Sequence, residues 1–302
     1  MNWQLLVCAA FLYQYGLVQI VIKKIGAAEG SRTRKLVWQY FFAALLAVIT
    51  GVIGGQIDLS WSFAIVAVIG AANAFACYCH WRAYDISMSR TAMLSNLDDL
   101  IAIGLGYAVL GELRVLTPIL TAGIFLSVIS ATVFARIKHR DKSNDGRSAR
   151  LAVWVFGYTV IWGLAMFSMR FFSLQGLNIL TYVVAWYSGA WLGALVTRFV
   201  LMGRDEAGPP LTHTQRGKVF LLAVGIWTSL MLAYLMRTLF PITVLQPIQL
   251  VAEMSVPALI GLTIFNEARS MSRREIVMII MALVGISLIA VGYEPNDQGW
   301  GN

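Results

Sequence analysis

Residues 98–117, DDLIAIGLGYAVLGELRVLT, and residues 253–272, EMSVPALIGLTIFNEARSMS, are two renderings of one pattern set 155 residues apart. The shift pairs Asp98 with Glu253, Gly106 with Gly261, Glu112 with Glu267, Arg114 with Arg269 and Thr117 with Ser272, and upstream it pairs Arg82 with Arg237. Only 13% of the chain is charged, so six chemically matched positions within 36 residues point to an internal duplication.

Outward from these stretches the chain is almost continuously apolar. Of its 302 residues, 59% are hydrophobic, which leaves too little polar surface to clothe a soluble globule of this size. Apolar runs of about the length a bilayer requires fall at 3–22, 36–54, 61–80, 91–110, 116–135, 151–170, 178–200, 218–236, 243–265 and 275–293. They lack the apolar/polar alternation of barrel strands, so the expected fold is an all-α polytopic membrane protein of ten transmembrane helices. The basic stretch 136–150, with Ser143-Asn144-Asp145-Gly146 inside it, divides them five and five. The expected organisation is a first five-helix repeat over 1–135, a basic cytoplasmic linker over 136–150, and a second repeat with a short C-terminal tail over 151–302. An odd number of crossings per half makes duplicated halves inverted relative to each other.

The formal net charge of +8 reports topology before it reports a partner such as nucleic acid, which is not expected here. Of the 23 lysines and arginines, all but Arg114, Arg170 and Arg237 fall in loops on one face. The positive-inside rule makes that face cytoplasmic and puts both termini outside. The N-terminus Met1-Asn2-Trp3-Gln4 has no basic preamble or cleavage site and reads as the start of a permanent helix. Cys8, Cys77 and Cys79 lie in apolar runs and form no redox or metal motif.

Asp98 stands twelve residues inside its helix end, about 18 Å at the helical rise, and Glu253 stands equally deep. Both carboxylates thus fall near the membrane midplane, where ionisable groups are costly and mark pathways. Asp99 is turned about 100° from Asp98, so only one of the two faces a shared cavity, and Asp98 is favoured because it has a repeat partner. Gln246, Gln249 and Glu253 recur at i, i+3 and i+7 and form a polar stripe on an apolar helix, flanked by Pro247 and Pro257. Thr91, Ser95 and Asp98 form the matching stripe in the first half. Tyr15 with Gln19, Tyr158 with Trp162, and Tyr182 with Trp186 are spaced four apart. For Tyr158, Trp162 and Trp186 the readings are cavity lining, suited to a flat or cationic solute, or core packing. Trp3, Trp38, Trp61 and Tyr293 read as interfacial anchors.

With its paired membrane carboxylates, each followed fourteen residues later by a turn glutamate (Gly111-Glu112 and Asn266-Glu267), the chain resembles the ten-helix, EamA-like branch of the drug/metabolite transporter superfamily. Two positions depart from that family's pattern: Asp99 and Met254 stand where a proline usually follows the carboxylate, and Asn266 replaces the turn glycine. The resemblance implies export of amino acids, amines or related metabolites by a secondary transporter. Its substrate or proton pathway would use Asp98, Asp99, Glu253, Gln246, Gln249, Ser95, Tyr158, Trp162 and Trp186. No glycine-rich phosphate loop, nucleophile elbow or metal-ligand spacing is present in the sequence, so no cofactor or metal is expected. The partners would be a small molecule, protons and the lipid bilayer. The competing readings are a membrane-embedded enzyme using the same carboxylates as acid and base, and a non-transporting scaffold or sensor.

The charge asymmetry yields a direct expectation. A reporter active only outside the cytoplasm, fused to the C-terminus, will be active, and activity of a cytoplasm-only reporter at that position reverses the orientation.

Overall fold

No glycine or proline stands between Gly70 and Gly104, so the chain has no local reason to leave the helical conformation there. The computed structural model accordingly carries the helix that begins at Trp61 through the expected loop at 81–90 as far as Ser95. It describes all residues except 1–2, 19, 22–30, 96, 113–115, 140–146, 202–209, 264–272 and 294–302. Side chains within helices are described except at 3, 84–95, 97, 131, 134–139, 147–152, 201, 254–255, 257–263, 275 and 279.

Among the described residues the chain is all α-helix, in ten elements: α1 (Trp3–Phe11), α2 (Arg32–Gly54), α3 (Trp61–Ser95), α4 (Leu97–Val109), α5 (Pro118–His139), α6 (Arg147–Leu174), α7 (Ile179–Leu201), α8 (His213–Leu239), α9 (Ile242–Thr263) and α10 (Arg273–Gly292). A π-helical turn, Leu12–Leu17, continues α1. Other boundaries also differ from the sequence reading. Helix α4 starts at Leu97 rather than near 91, which moves Asp98 and Asp99 into its first turn. Helices α5 and α6 also extend into the basic stretch, leaving 140–146 between them and outside the described residues.

Among the described residues, five helical spans are long and apolar enough to cross a membrane: Arg32–Gly54, Trp61–Ala83, Val153–Leu174, Ile179–Val200 and His213–Leu239. Their outward faces are oily, as on α7, where Leu192, Leu195, Val196, Phe199 and Val200 are all exposed. A surface of this kind is at home in hydrocarbon and costly in water.

Among the described residues, the two largest apolar clusters span most of the bundle. The larger joins α2, α3, α6, α7 and α8 around Tyr40, Ala74, Met169, Tyr182, Trp186 and Tyr234. The second joins α1, α5, α9 and α10 around Tyr15, Leu120, Leu245, Ile248 and Ile289, with Met236 and Phe240 at the end of α8. Helix α5 lies along α10, α2 along α7, and α4 against α9; α7 also packs on α3, α8 on α2, and α6 on α4. Tyr293, read from sequence as an interfacial anchor, is instead 5% exposed and packs in the second core with its ring against Phe240. Trp61, at 80% exposed, sits where an anchor would.

The α3–α7 contact has no room for side chains. A Cβ on Gly189 or Gly193 would run into the backbone carbonyls of Ala67 and Ala71, and one on Gly70 into the carbonyl of Trp186. Backbone-to-backbone approach of this kind is how helices associate where no hydrophobic drive exists between them. Gly189→Leu will therefore destabilise the bundle by at least about 1–3 kcal/mol, the usual range for overpacking. A drop in the melting temperature of the detergent-purified protein measures it, and an unchanged melting temperature refutes the close approach.

Candidate functional site

Helix α4 begins inside the bundle, and its first turn holds two acids. The Oδ1 of Asp98 accepts the backbone N–H of Asp99 at 2.9 Å, and the start of a helix favours negative charge there. The carbonyl of Asp98 lies against Gly163 of α6, where an added Cβ would come within 2.9 Å of it. Both side chains are buried, Asp99 completely.

It is Asp99, the acid without a repeat partner, that reaches across to α9. Gln246 Nε2 donates to its Oδ1, and Gln249 Nε2 approaches the same oxygen at 3.5 Å. Asp98, favoured from the repeat, turns its Oδ1 back to its own helix. The two glutamines lie one turn apart on one face of α9, as their spacing foretold, and both are buried.

Their oxygens point the other way. Arg237 Nη2 donates to Gln246 Oε1 at 3.2 Å and to Gln249 Oε1 at 2.8 Å. The same nitrogen lies 2.8 Å from Met166 Sδ, and Nη1 donates to the Ala233 carbonyl at 3.2 Å. The distribution of basic residues places Arg114, Arg170 and Arg237 on the face opposite the cytoplasmic loops. Arg170 and Arg237 are inside the bundle instead, at 2% and 1% exposure. The missed signal was the apolar sequence that continues past each of them, Phe171-Phe172 after Arg170 and Leu239-Phe240 after Arg237. Of the three basic residues placed on the outer face, Arg114 lies outside the described residues.

Glu253 completes the group. It is partly buried and lies within electrostatic reach of Asp98, Asp99 and the Tyr15 side chain. Tyr15 sits in the π-helical turn, a local widening often found at functional sites. First-half and second-half residues thus meet in one buried cluster of three carboxylates, one guanidinium, two carboxamides and a phenol.

The remaining residues expected at the site fall differently. Ser95 and Thr91 have side chains outside the described set, and Gln19 is itself outside it. Trp186 is 2% exposed and stacks on Tyr182 at 5.8 Å within the larger core, so its described contacts are those of packing. Tyr158 stacks on His80 at 4.4 Å, and Trp162 tilts against Tyr158 at 5.9 Å. Tyr158 packs with Ala76 and Cys79 between α3 and α6, and Trp162 also packs against the larger core.

A second buried ion pair anchors the arrangement. Glu112 is fully buried after the positive-φ turn at Gly111, a conformation that glycine adopts without strain. Its two oxygens accept the first N–H groups of α9, from Ile242 at 3.2 Å and Thr243 at 3.0 Å. Arg170 Nε meets Glu112 Oε1 at 3.4 Å. Arg170 Nη1 donates to the carbonyls of Arg237 at 2.7 Å and Thr238 at 3.1 Å. One carboxylate and one guanidinium therefore close the end of α8 and the start of α9 together, satisfying backbone groups that helix termini leave open.

No family model matches the sequence, and no curated protein matches it. The chain does superpose on a solved crystal structure over 95% of its own length and 96% of the other chain, with a TM-score of 0.73 and 13% sequence identity. That likeness shows a shared fold.

Removing one member of a buried ion pair strands the other, at a cost of about 3–5 kcal/mol. Arg170→Met will therefore destabilise the protein by about that amount, whereas the double variant Arg170→Met with Glu112→Gln will recover part of it. A double-mutant cycle in thermal unfolding measures the coupling, and additive losses disprove it.

Proposed function

We propose that this chain is a secondary transporter of a small organic solute, working by alternating access and driven by a gradient or by exchange. It is an integral membrane protein of ten spans in two inverted five-helix repeats, similar to the EamA-like branch of the drug/metabolite transporters, with both termini outside a membrane such as the bacterial inner membrane. The observation that carries this reading is the contact of Asp99, from the first half, with Gln246 and Gln249, from the second, beside Arg237. A buried polar site shared between two halves is where inverted-repeat transporters hold their solute.

The packing supports the same reading. Helices α2, α4 and α5 each lie against the helix five places on, α7, α9 and α10, and the α3–α7 contact has its counterpart in α8–α2. A two-fold relation between the halves produces such an exchange of partners. Three acids against one arginine also give the site an excess of carboxylates, as expected of a group that carries protons or cationic groups through the membrane.

Asp99→Asn and Glu253→Gln keep side-chain size and hydrogen-bonding ability while removing the charge. Each will reach the membrane at wild-type levels yet lose at least about tenfold in uphill flux, and Asp98→Asn will show whether the second acid shares the task. The measurement is uptake of amino acids and amines by proteoliposomes with and without an imposed pH gradient. Wild-type flux in all three variants across a range of pH sinks the reading.

A further inference from the structure

Arg216, in the first turn of α8, holds its guanidinium over the face of Trp38 on α2, 4.7 Å from the ring centroid. Its Nε is buried and has no hydrogen-bond partner among the described residues. One turn further along both helices, Phe42 meets Phe220 edge-on at 5.4 Å. Helices α2 and α8 therefore run in the same direction, with their first turns at one end of the bundle. Helix α7 runs the opposite way along the other flank of α2. Gly54 and Gly51 lie against Leu180 and Val184, and Phe41 packs on Trp191 at 5.6 Å. That register brings Arg198, in the last turn of α7, level with Arg34 in the first turn of α2.

Arg34, Trp38, Phe41 and Phe42 recur at helical spacing and form one face of α2, partly buried between its two neighbours. The face continues into Leu45, Ile49 and Val52, which are exposed, so it opens to the same surroundings as the oily outside of α7. Beside it, Leu195 and Arg198 follow Trp191 at i+4 and i+7, and a groove of about 430 Å³ opens at Leu195, Val196, Arg198 and Phe199. Arg34, Arg198 and Arg216 thus stand around the end of an aromatic trough. Helices α2, α7 and α8 contain no aspartate or glutamate, and among the described residues no carboxylate pairs with any of these arginines.

We propose that this trough seats an anionic phospholipid, with its acyl chains along Trp38, Phe41 and Phe42 and its phosphate among Arg34, Arg198 and Arg216. The inference concerns the bilayer rather than the solute, so it requires only that the bundle sit in a membrane. A guanidinium presents paired donors that match phosphate oxygens, and the open Nε of Arg216 is a donor that such an oxygen satisfies. A soluble phosphate ester gains nothing from the aromatic floor, and a bare acyl chain gains nothing from the arginines. Only a molecule that joins the two uses the whole surface. A zwitterionic lipid brings its ammonium toward the same positive charges and loses part of the attraction, so the seat favours a headgroup of net negative charge. Basic pockets between helices at the membrane boundary hold headgroups of this kind.

The test titrates the full-length protein, purified in detergent, with dioleoyl phosphatidylglycerol or dioleoyl phosphatidylcholine under native mass spectrometry. The first phosphatidylglycerol will bind the wild type with a dissociation constant at least about tenfold below that of phosphatidylcholine. Combining Arg34→Gln, Arg198→Gln and Arg216→Gln will bring the two affinities within about twofold of each other. Arg198→Gln alone will lower the ratio at least about threefold and serves where the triple variant does not fold. Arg273→Gln with Arg274→Gln, two exposed positions at the start of α10, will leave the ratio at its wild-type value, which separates a built seat from the general pull of basic residues on anionic lipid. Equal affinities in the wild type, a preference that survives the triple variant, or an equal loss in the α10 variant overturns the inference. Glycerol phosphate, which has the headgroup chemistry without the chains, will not displace the lipid. Displacement at comparable concentrations assigns the seat to a soluble phosphate ester and overturns the lipid.

Discussion

A carboxylate or a guanidinium is costly inside a helical bundle, and partners that answer its charge lower that cost. Glu112 is answered by the amide groups at the start of α9 and by Arg170, and Arg170 in turn by the carbonyls at the end of α8. The α8–α9 corner is fixed by that exchange. Because α9 is fixed at Ile242, Gln246 and Gln249 fall one and two turns further in, within reach of Asp99. Because the Arg237 carbonyl is held by Arg170, the Arg237 side chain is aimed back into the bundle and onto those glutamines. Contacts run from Glu112, beside the turn at Gly111, to Asp99 through polar atoms, with the Met166 sulfur against Arg237.

Such a chain of contacts ties geometry at one end of the bundle to geometry at its centre. Displacing the corner would tilt the first turn of α9 and with it the glutamine pair, so the Glu112–Arg170 junction and the central cluster cannot be adjusted independently. The small residues on α5 and α10 stand in contrast. There Gly123 and Gly285 approach the opposing backbone closely, and the contact is made by shape rather than by charge.

The all-α class, the number of helices among the described residues and the shared face of Gln246 and Gln249 were legible in the sequence because they depend on period and run length. A run of apolar residues has one stable form in lipid, and residues three and seven apart share a face whatever surrounds them. What escaped was anything decided by a partner far away in the chain. Arg237 and Arg170 sit next to helix ends, and an arginine there looks like a loop residue until Glu112 and the glutamines are seen to receive it. The choice between Asp98 and Asp99 escaped for a related reason. The repeat marks which acid has a counterpart, but the start of α4 at Leu97 decides which one turns toward α9, and no glycine or proline in the sequence marks that start. Tyr293 was misjudged because tyrosines near helix ends are common at interfaces, and nothing local reveals Phe240 waiting beside it.

The glycines of α7 leave α3 and α7 touching main chain to main chain, with no compressible layer of side chains between them. Two rods in such contact resist both sliding and rolling, since either motion drives a carbonyl into a neighbouring Cα. The pair is therefore a keel: any reshaping of the molecule must be taken up by elements hung on either side of it, through their softer side-chain contacts. An added methyl group at Gly189 would act on the whole frame, because it would wedge the keel open along its length.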